Sequence, residues 1–285
     1  MKHTCQAETG VWASIGAYLF LVLIKLGAGY AAHSESVTAD GWNNFTDILA
    51  SVGLLIGIKI AQKPRDPDHP YGHSRAETVS SLLASFIMAS IGLQVLFQAG
   101  DSALNGRGEA PDWTAAVVGM GGAAVMTGVY LFNSRLAEKT RSQALHAAAR
   151  DNLSDALVSL GTAVAVLGSH WKLPWLDPAA ALIVGSMILK TAWDIFRDTA
   201  HRLTDGFHPD RLKEYETTIH QIPGVKKVID LKGRYQGNEV VLDVTIEVNA
   251  DLSVKDSHDI TDAIEQKMCS QYRVYNTHIH VEPDA

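Results

Sequence analysis

Long apolar stretches dominate the first 200 residues, after which the pattern turns to charge and alternation. A membrane-spanning helix needs about 20 mainly apolar residues. Six stretches qualify, at about residues 11–32, 38–61, 77–99, 112–134, 143–169 and 177–196. The second and fifth have the weakest hydropathy because each carries several polar side chains. Small residues crowd the fourth ("AAVVGMGGAAVMTG") and the fifth, which suits close approach of helices in lipid. Runs of this length exceed what a buried core helix needs, so a six-helix transmembrane bundle is predicted over residues 1–206.

Residues 207–285 read as a small soluble α+β domain. "PDRLKEYETTIHQI" has helical spacing, with Leu212, Tyr215, Ile219 and Ile222 on one side. Two strand-like runs, "VKKVIDLKGRYQ" and "EVVLDVTIEV", meet through the turn signal "GN". Ser253 is placed to cap a helix whose Val254, Ile260 and Ile264 share a side, and "VYNTHIHVEP" closes the domain as a strand. Gly224, after Pro223, marks the turn into the first strand.

Charge in the short loops orients the bundle. Lys63, Arg65 and Arg75 follow the second stretch, Arg135, Lys139 and Arg141 the fourth, and Arg197 and Arg202 the sixth. The other side has only Arg107 and Lys172, so the positive-inside rule puts both termini in the cytoplasm. The N-terminal "MKHTCQAETG" is polar, and the first apolar run is too long for a signal h-region and lacks a small-residue cleavage site. It reads as a retained span, and the lack of a targeting presequence suggests a bacterial inner membrane.

A net charge of -7 argues against nucleic acid as a partner. Cys5 and Cys269 lie far apart with no C-x-x-C, so neither a disulfide framework nor a thiolate zinc site is indicated.

The chemistry sits in the two weakest spans. In "TADGWNNFTDILAS", Asn43 and Asp47 are four apart and share a helix face, with Asp40 and Asn44 close to the same stripe. In "RDNLSDALVS", Asp151 and Asp155 repeat the spacing. Each ionisable group at mid-bilayer costs on the order of 2.5–3.5 kcal/mol on insertion scales. Carboxylates cannot sit together charged and dry, so a cation or protons must accompany them. Oxygen ligands favour Mg, Ca or Mn over zinc or copper. The plainer alternative is that these groups only bond the helices together. A second cluster, Asp66, His69 and His73 with Asp68 adjacent, lies in "RDPDHPYGHSRAE"; it suits zinc or manganese, or is a rigid turn with solvated histidines. Lys25, Lys59 and Lys190 are expected to snorkel toward an interface. Arg150 points away from the face of Asp151, and His33 is expected to be solvated.

Six spans with N-x-x-x-D on the second, D-x-x-x-D on the fifth, the loop "DPDHPYGHSRAET" and a small α+β tail resemble the cation diffusion facilitator family. The resemblance covers nearly the whole chain. It implies a homodimeric exporter that exchanges a divalent metal for protons by alternating access, with a cytoplasmic tail of ferredoxin-like or metallochaperone-like fold. Zinc carriers of the family have His in at least one transport-site position, commonly the first of the fifth-span pair. Asn43, Asp47, Asp151 and Asp155 are instead similar to the manganese-exporting branch. Mn²⁺ is therefore expected first, then Fe²⁺, then Zn²⁺ or Co²⁺. The resemblance also implies a loop metal at Asp66, His69 and His73, and a salt bridge from Arg75 to Asp205 that steadies the dimer. A tail metal site would keep His258, His280 and Glu282, but Ile229 and Thr245 stand where His is expected, which leaves dimerisation as the tail's role. His278 and His280 alternate on a strand and share a face.

The expected function is a secondary transporter with metal and protons as substrates and no cofactor. No G-x-x-x-x-G-K-[ST] supplies an ATP site, and no H-E-x-x-H supports an intramembrane enzyme. The competing reading is a membrane metal sensor or scaffold with an inert transport domain.

Overall fold

A computed structural model describes residues 2–105, 111–140, 143–171, 173, 175–237 and 239–284. Arg107, Arg141 and Lys172 of the charge pattern and Asn238 of the expected turn lie outside the described residues, as does the side chain of Cys5.

Six long helices come first: α1 Lys2–Ala31, α2 Glu35–Ala61, α3 Ala76–Asn105, α4 Trp113–Thr140, α5 Gln143–His170 and α6 Leu176–Leu203. Among the described residues, five carry a segment long and apolar enough to cross a membrane. The sixth, α2, is 27 residues long and carries Asp40, Asn43, Asn44 and Asp47. Large apolar side chains such as Leu23, Phe97 and Trp193 point outward from their helices, an arrangement that lipid accepts and water does not.

The chain divides into two compact units, Met1–Gly53 with Leu83–Asp194, and Leu54–Leu82 with Ile195–Ala285. Within the first, α4 and α5 approach closely through small residues: a Cβ on Gly119 would lie 3.0 Å from Cβ of Ala163. Tyr18 and Leu21 of α1 pack with Met126 of α4 and Ala156 of α5. A separate cluster joins Ala39 of α2, Val95 and Ala99 of α3, and Ala181, Val184 and Ile188 of α6.

Within the second unit lies the α+β tail: α7 Pro209–His220, β1 Lys227–Gln236, β2 Glu239–Val248, α8 Val254–Tyr272 and β3 Asn276–Pro283. The sheet order is β1-β2-β3, with β2 antiparallel to β1 and parallel to β3. A parallel pair needs a crossover, which α8 provides. Leu242, Val244, Ile246 and Val248 of β2 form the core with Tyr215, Ile219, Ile264 and Met268. The intervening Asp243, Thr245 and Glu247 turn to the opposite face, where the register sets them beside His278, His280 and Glu282. Ser253 caps α8 as expected, its Oγ accepting the Asp256 N–H at 3.2 Å. Gly224 adopts φ 95°, and a Cβ there would lie 2.5 Å from Cδ1 of Ile260, so the turn admits only glycine without rearrangement. Ile229 falls at a β-bulge in the β1–β2 pairing.

Candidate metal centre

The two polar motifs face each other across α2 and α5. Asn43 Nδ2 donates to Asp155 Oδ1 at 3.2 Å and lies 3.5 Å from Asp47 Oδ2. Asp155 is buried, and its other oxygen accepts the Tyr18 hydroxyl of α1 at 2.7 Å. Tyr18 also reaches Asn152 Oδ1 at 3.1 Å, and Asn152 donates to Ser14 Oγ at 3.2 Å. Three of the four expected transport-site residues are thus joined. Asp151, one turn before Asp155, is exposed and is not drawn into that contact.

Asp40 and Asn44 belong to a different constellation. Lys25 of α1 lies 2.8 Å from Asp40 Oδ2 and donates to Asn44 Oδ1 at 2.7 Å and Ser159 Oγ at 2.8 Å. Lys25 is wholly buried and does not snorkel, contrary to the expectation from sequence. The reason is that α2 and α5 provide oxygens for its ammonium inside the bundle, so it need not seek water. Lys59 is exposed, and Lys190 is exposed and pairs with Asp194 at 2.7 Å. His33 is exposed, with φ 52°. Sequence reasoning passed over Tyr18 and Asn152 and misread Lys25; the available signal was a lysine in an apolar run shortly before an acid-bearing span.

The loop cluster forms within the second unit. Ligand atoms of Asp66, His69 and His73 lie within 4.8 Å of one another, the one such grouping of His, Cys, Asp or Glu among the described residues. Asp66 Oδ1 meets His69 Nδ1 at 3.0 Å and accepts its backbone N–H at 2.7 Å, while Asp66 Oδ2 lies 3.4 Å from His73 Nε2. The His69 side-chain hydrogen bond is the largest influence holding the Asp66 carboxyl below its ordinary range. Nδ1 of His73 is buried and has no hydrogen-bond partner among the described residues. The same unit contains the Arg75–Asp205 ion pair at 2.9 Å, half exposed and formed within one chain.

The tail does not gather His258, His280 and Glu282. His258 is exposed on α8, 3.8 Å from Asp262, and His280 on β3 is 3.7 Å from Glu282. On the polar sheet face, Asp243 pairs with Arg234 and lies 3.3 Å from His278.

Six long helices with buried polar side chains between them, followed by a small α+β domain, are the architecture of a polytopic membrane protein. A family model described as the cation efflux transmembrane domain matches residues 11–204, and one described as the cation efflux protein cytoplasmic domain matches residues 207–284. Among relatives, the manganese efflux system protein MneS of Bacillus subtilis (strain 168) is 51% identical over 278 residues, covering 98% of this chain and 96% of the relative. The manganese efflux system protein MneP of the same strain is 30% identical, covering 94% and 93%. A solved MamM-CTD structure is 25% identical and covers 27% of this chain and 100% of its own, with a TM-score of 0.26. The chain belongs to the cation efflux family, also called the cation diffusion facilitators, and is a metal efflux transporter of the membrane.

Proposed function

We propose that this chain exports a divalent metal, Mn²⁺ first and then Fe²⁺, Zn²⁺ or Co²⁺, in exchange for protons. The transport site in this reading is Asn43, Asp47, Asp151 and Asp155. The observation that carries it is the Asn43 contact to Asp47 and Asp155 across α2 and α5. The Asn43 amide turns its NH₂ toward the two carboxylates. Rotating the amide by half a turn presents its carbonyl oxygen instead, a change that metal entry would favour. Tyr18 occupies Asp155 Oδ2 and leaves Oδ1 directed at the site. Asp151, one turn before Asp155 on the same helix, completes the set in this reading.

Metal ligands must be deprotonated, so metal and protons compete for the same carboxylates. That competition is the coupling. The hardness of an all-oxygen set favours Mn²⁺ over zinc, and the resemblance to the two manganese efflux proteins supports the same choice. We assign transport to residues 1–206 and homodimerisation to residues 207–285, with both termini cytoplasmic in a bacterial inner membrane. Asp66, His69 and His73 are assigned a further metal ion, for which two imidazoles and a carboxylate are a suitable donor set. A metal at His258, His280 and Glu282 would require those side chains to move together, so dimerisation remains the tail's role.

The test is flux in proteoliposomes. Mn²⁺ uptake should follow an imposed pH gradient and disappear in Asp47→Ala and Asp155→Ala. Gradient-independent uptake, or full transport by either variant, rejects the assignment; absence of any flux from the wild type favours the sensor or scaffold reading.

A further inference from the structure

Next to the assigned transport site the protein has built a second cation position and filled it with its own side chain. The Lys25 ammonium meets three oxygens from two other helices, Asp40 Oδ2 at 2.8 Å, Asn44 Oδ1 at 2.7 Å and Ser159 Oγ at 2.8 Å. All four residues are fully buried. Three oxygens, one of them anionic, around one positive centre is a donor set that a free cation could also use. The lysine stem is held in turn by α4, where a Cβ on Gly122 would lie 2.7 Å from Lys25 Cε.

The position of this group along the helices gives it a role. Asn44 follows Asn43, Asp40 precedes it by about one turn, and Ser159 lies one turn beyond Asp155, to whose carbonyl oxygen it donates at 2.8 Å. The group therefore borders the site on the side where α2 begins and α5 ends. A buried ion pair is seldom the most stable way to fill such a space, since well-packed apolar residues often serve as well or better. Its charge calls for another explanation.

We propose that Lys25 is a tethered cation that occupies a second oxygen-lined position beside the transport site, limiting the carrier to one divalent ion and closing the site toward the Glu35 end of α2. This rests on the reading of Asn43, Asp47 and Asp155 as transport ligands. With Lys25 in place, a metal ion leaving in that direction meets a fixed positive charge, and it passes only when the Lys25–Asp40 pair separates.

The test uses the full chain, with Mn²⁺ as the probe in both detergent and vesicles. Lys25→Ala should bind one more Mn²⁺ per chain than the wild type, counted by electron paramagnetic resonance, and propylammonium, which replaces the missing atoms, should compete for that extra ion. The neutral pair Lys25→Met with Asp40→Asn should retain the wild-type stoichiometry but leak Mn²⁺ without a pH gradient about tenfold faster. An unchanged Mn²⁺ count in folded Lys25→Ala overturns the second position, and a wild-type leak rate in the double variant overturns the closure. Should Lys25→Ala fail to fold, the leak rate of the double variant decides. Asp47→Ala serves as the reference: if it binds as many Mn²⁺ as the wild type, the transport-site reading itself falls and the proposal with it.

Discussion

Asp151 and Tyr18 carry opposite lessons about single residues. Asp151 was legible from its i,i+4 spacing with Asp155, yet it is exposed where Asp155 is buried. Tyr18 looked like one more aromatic in an apolar helix, yet its hydroxyl holds Asp155 at 2.7 Å. Spacing along one helix identifies a face, but which residue on another helix meets that face depends on how the two cross. Two predictions belong here. Asp151→His replaces a hard oxygen ligand with imidazole and should move the Mn²⁺-to-Zn²⁺ transport ratio toward zinc by about tenfold; an unchanged ratio in competition flux assays would count against Asp151 as a ligand. Tyr18→Phe removes a hydrogen bond to a carboxylate, worth about 1.5–3 kcal/mol, so the KM for Mn²⁺ should rise by about tenfold or more. An effect on kcat alone would point to a role outside metal binding.

At the level of elements, the start of α2 depends on a side chain far away in sequence. Asp177, in the first turn of α6, accepts the Glu35 N–H at 2.7 Å and the Ser34 and Ser36 hydroxyls at 2.7 and 2.5 Å. A helix leaves its first N–H groups without internal partners, and Asp177 supplies one across the bundle. Asp177→Ala should therefore cost about 1–3 kcal/mol, seen as a lower melting temperature in detergent. In the tail, Asp284 accepts the Ala250 N–H at 2.7 Å and pairs with Lys226. The Lys226 hydrogen bond, followed by the Ala250 N–H, lowers the Asp284 pKa. A depressed folded pKa gives stability that is present above the unfolded value, about 3.9, and lost as pH falls through the folded value. Acid unfolding of the tail should accordingly lose part of its pH dependence below about pH 4 in Asp284→Asn, as measured by circular dichroism. An identical acid profile would show that the contact contributes nothing.

For the whole molecule, the homodimerisation proposed for the tail leads to one expectation. The full chain in mild detergent should elute with twice its polypeptide mass, as measured by light scattering with the detergent contribution subtracted. A monomer that still transports would remove dimerisation from the mechanism. The Arg75–Asp205 pair adds little to this expectation, because a half-exposed pair contributes about 0–1 kcal/mol.

The six apolar stretches, the alternation along β2, the Ser253 cap and the paired motifs on α2 and α5 were all legible in the sequence. Each rests on local periodicity or on a signal only a few residues long. The partition of the α2 polar stripe was not. Asp40 and Asn44 serve the Lys25 ammonium while Asn43 and Asp47 face Asp155, although the four span only two helical turns. Which way each turns depends on what α1 and α5 bring within reach; the α1 contacts lie 15 and 19 residues away in the chain, and the α5 contact of Asn43 lies 112 away. Periodicity specifies which face of a helix is polar; the packing of neighbouring helices determines whether that face meets a metal, a lysine or another helix.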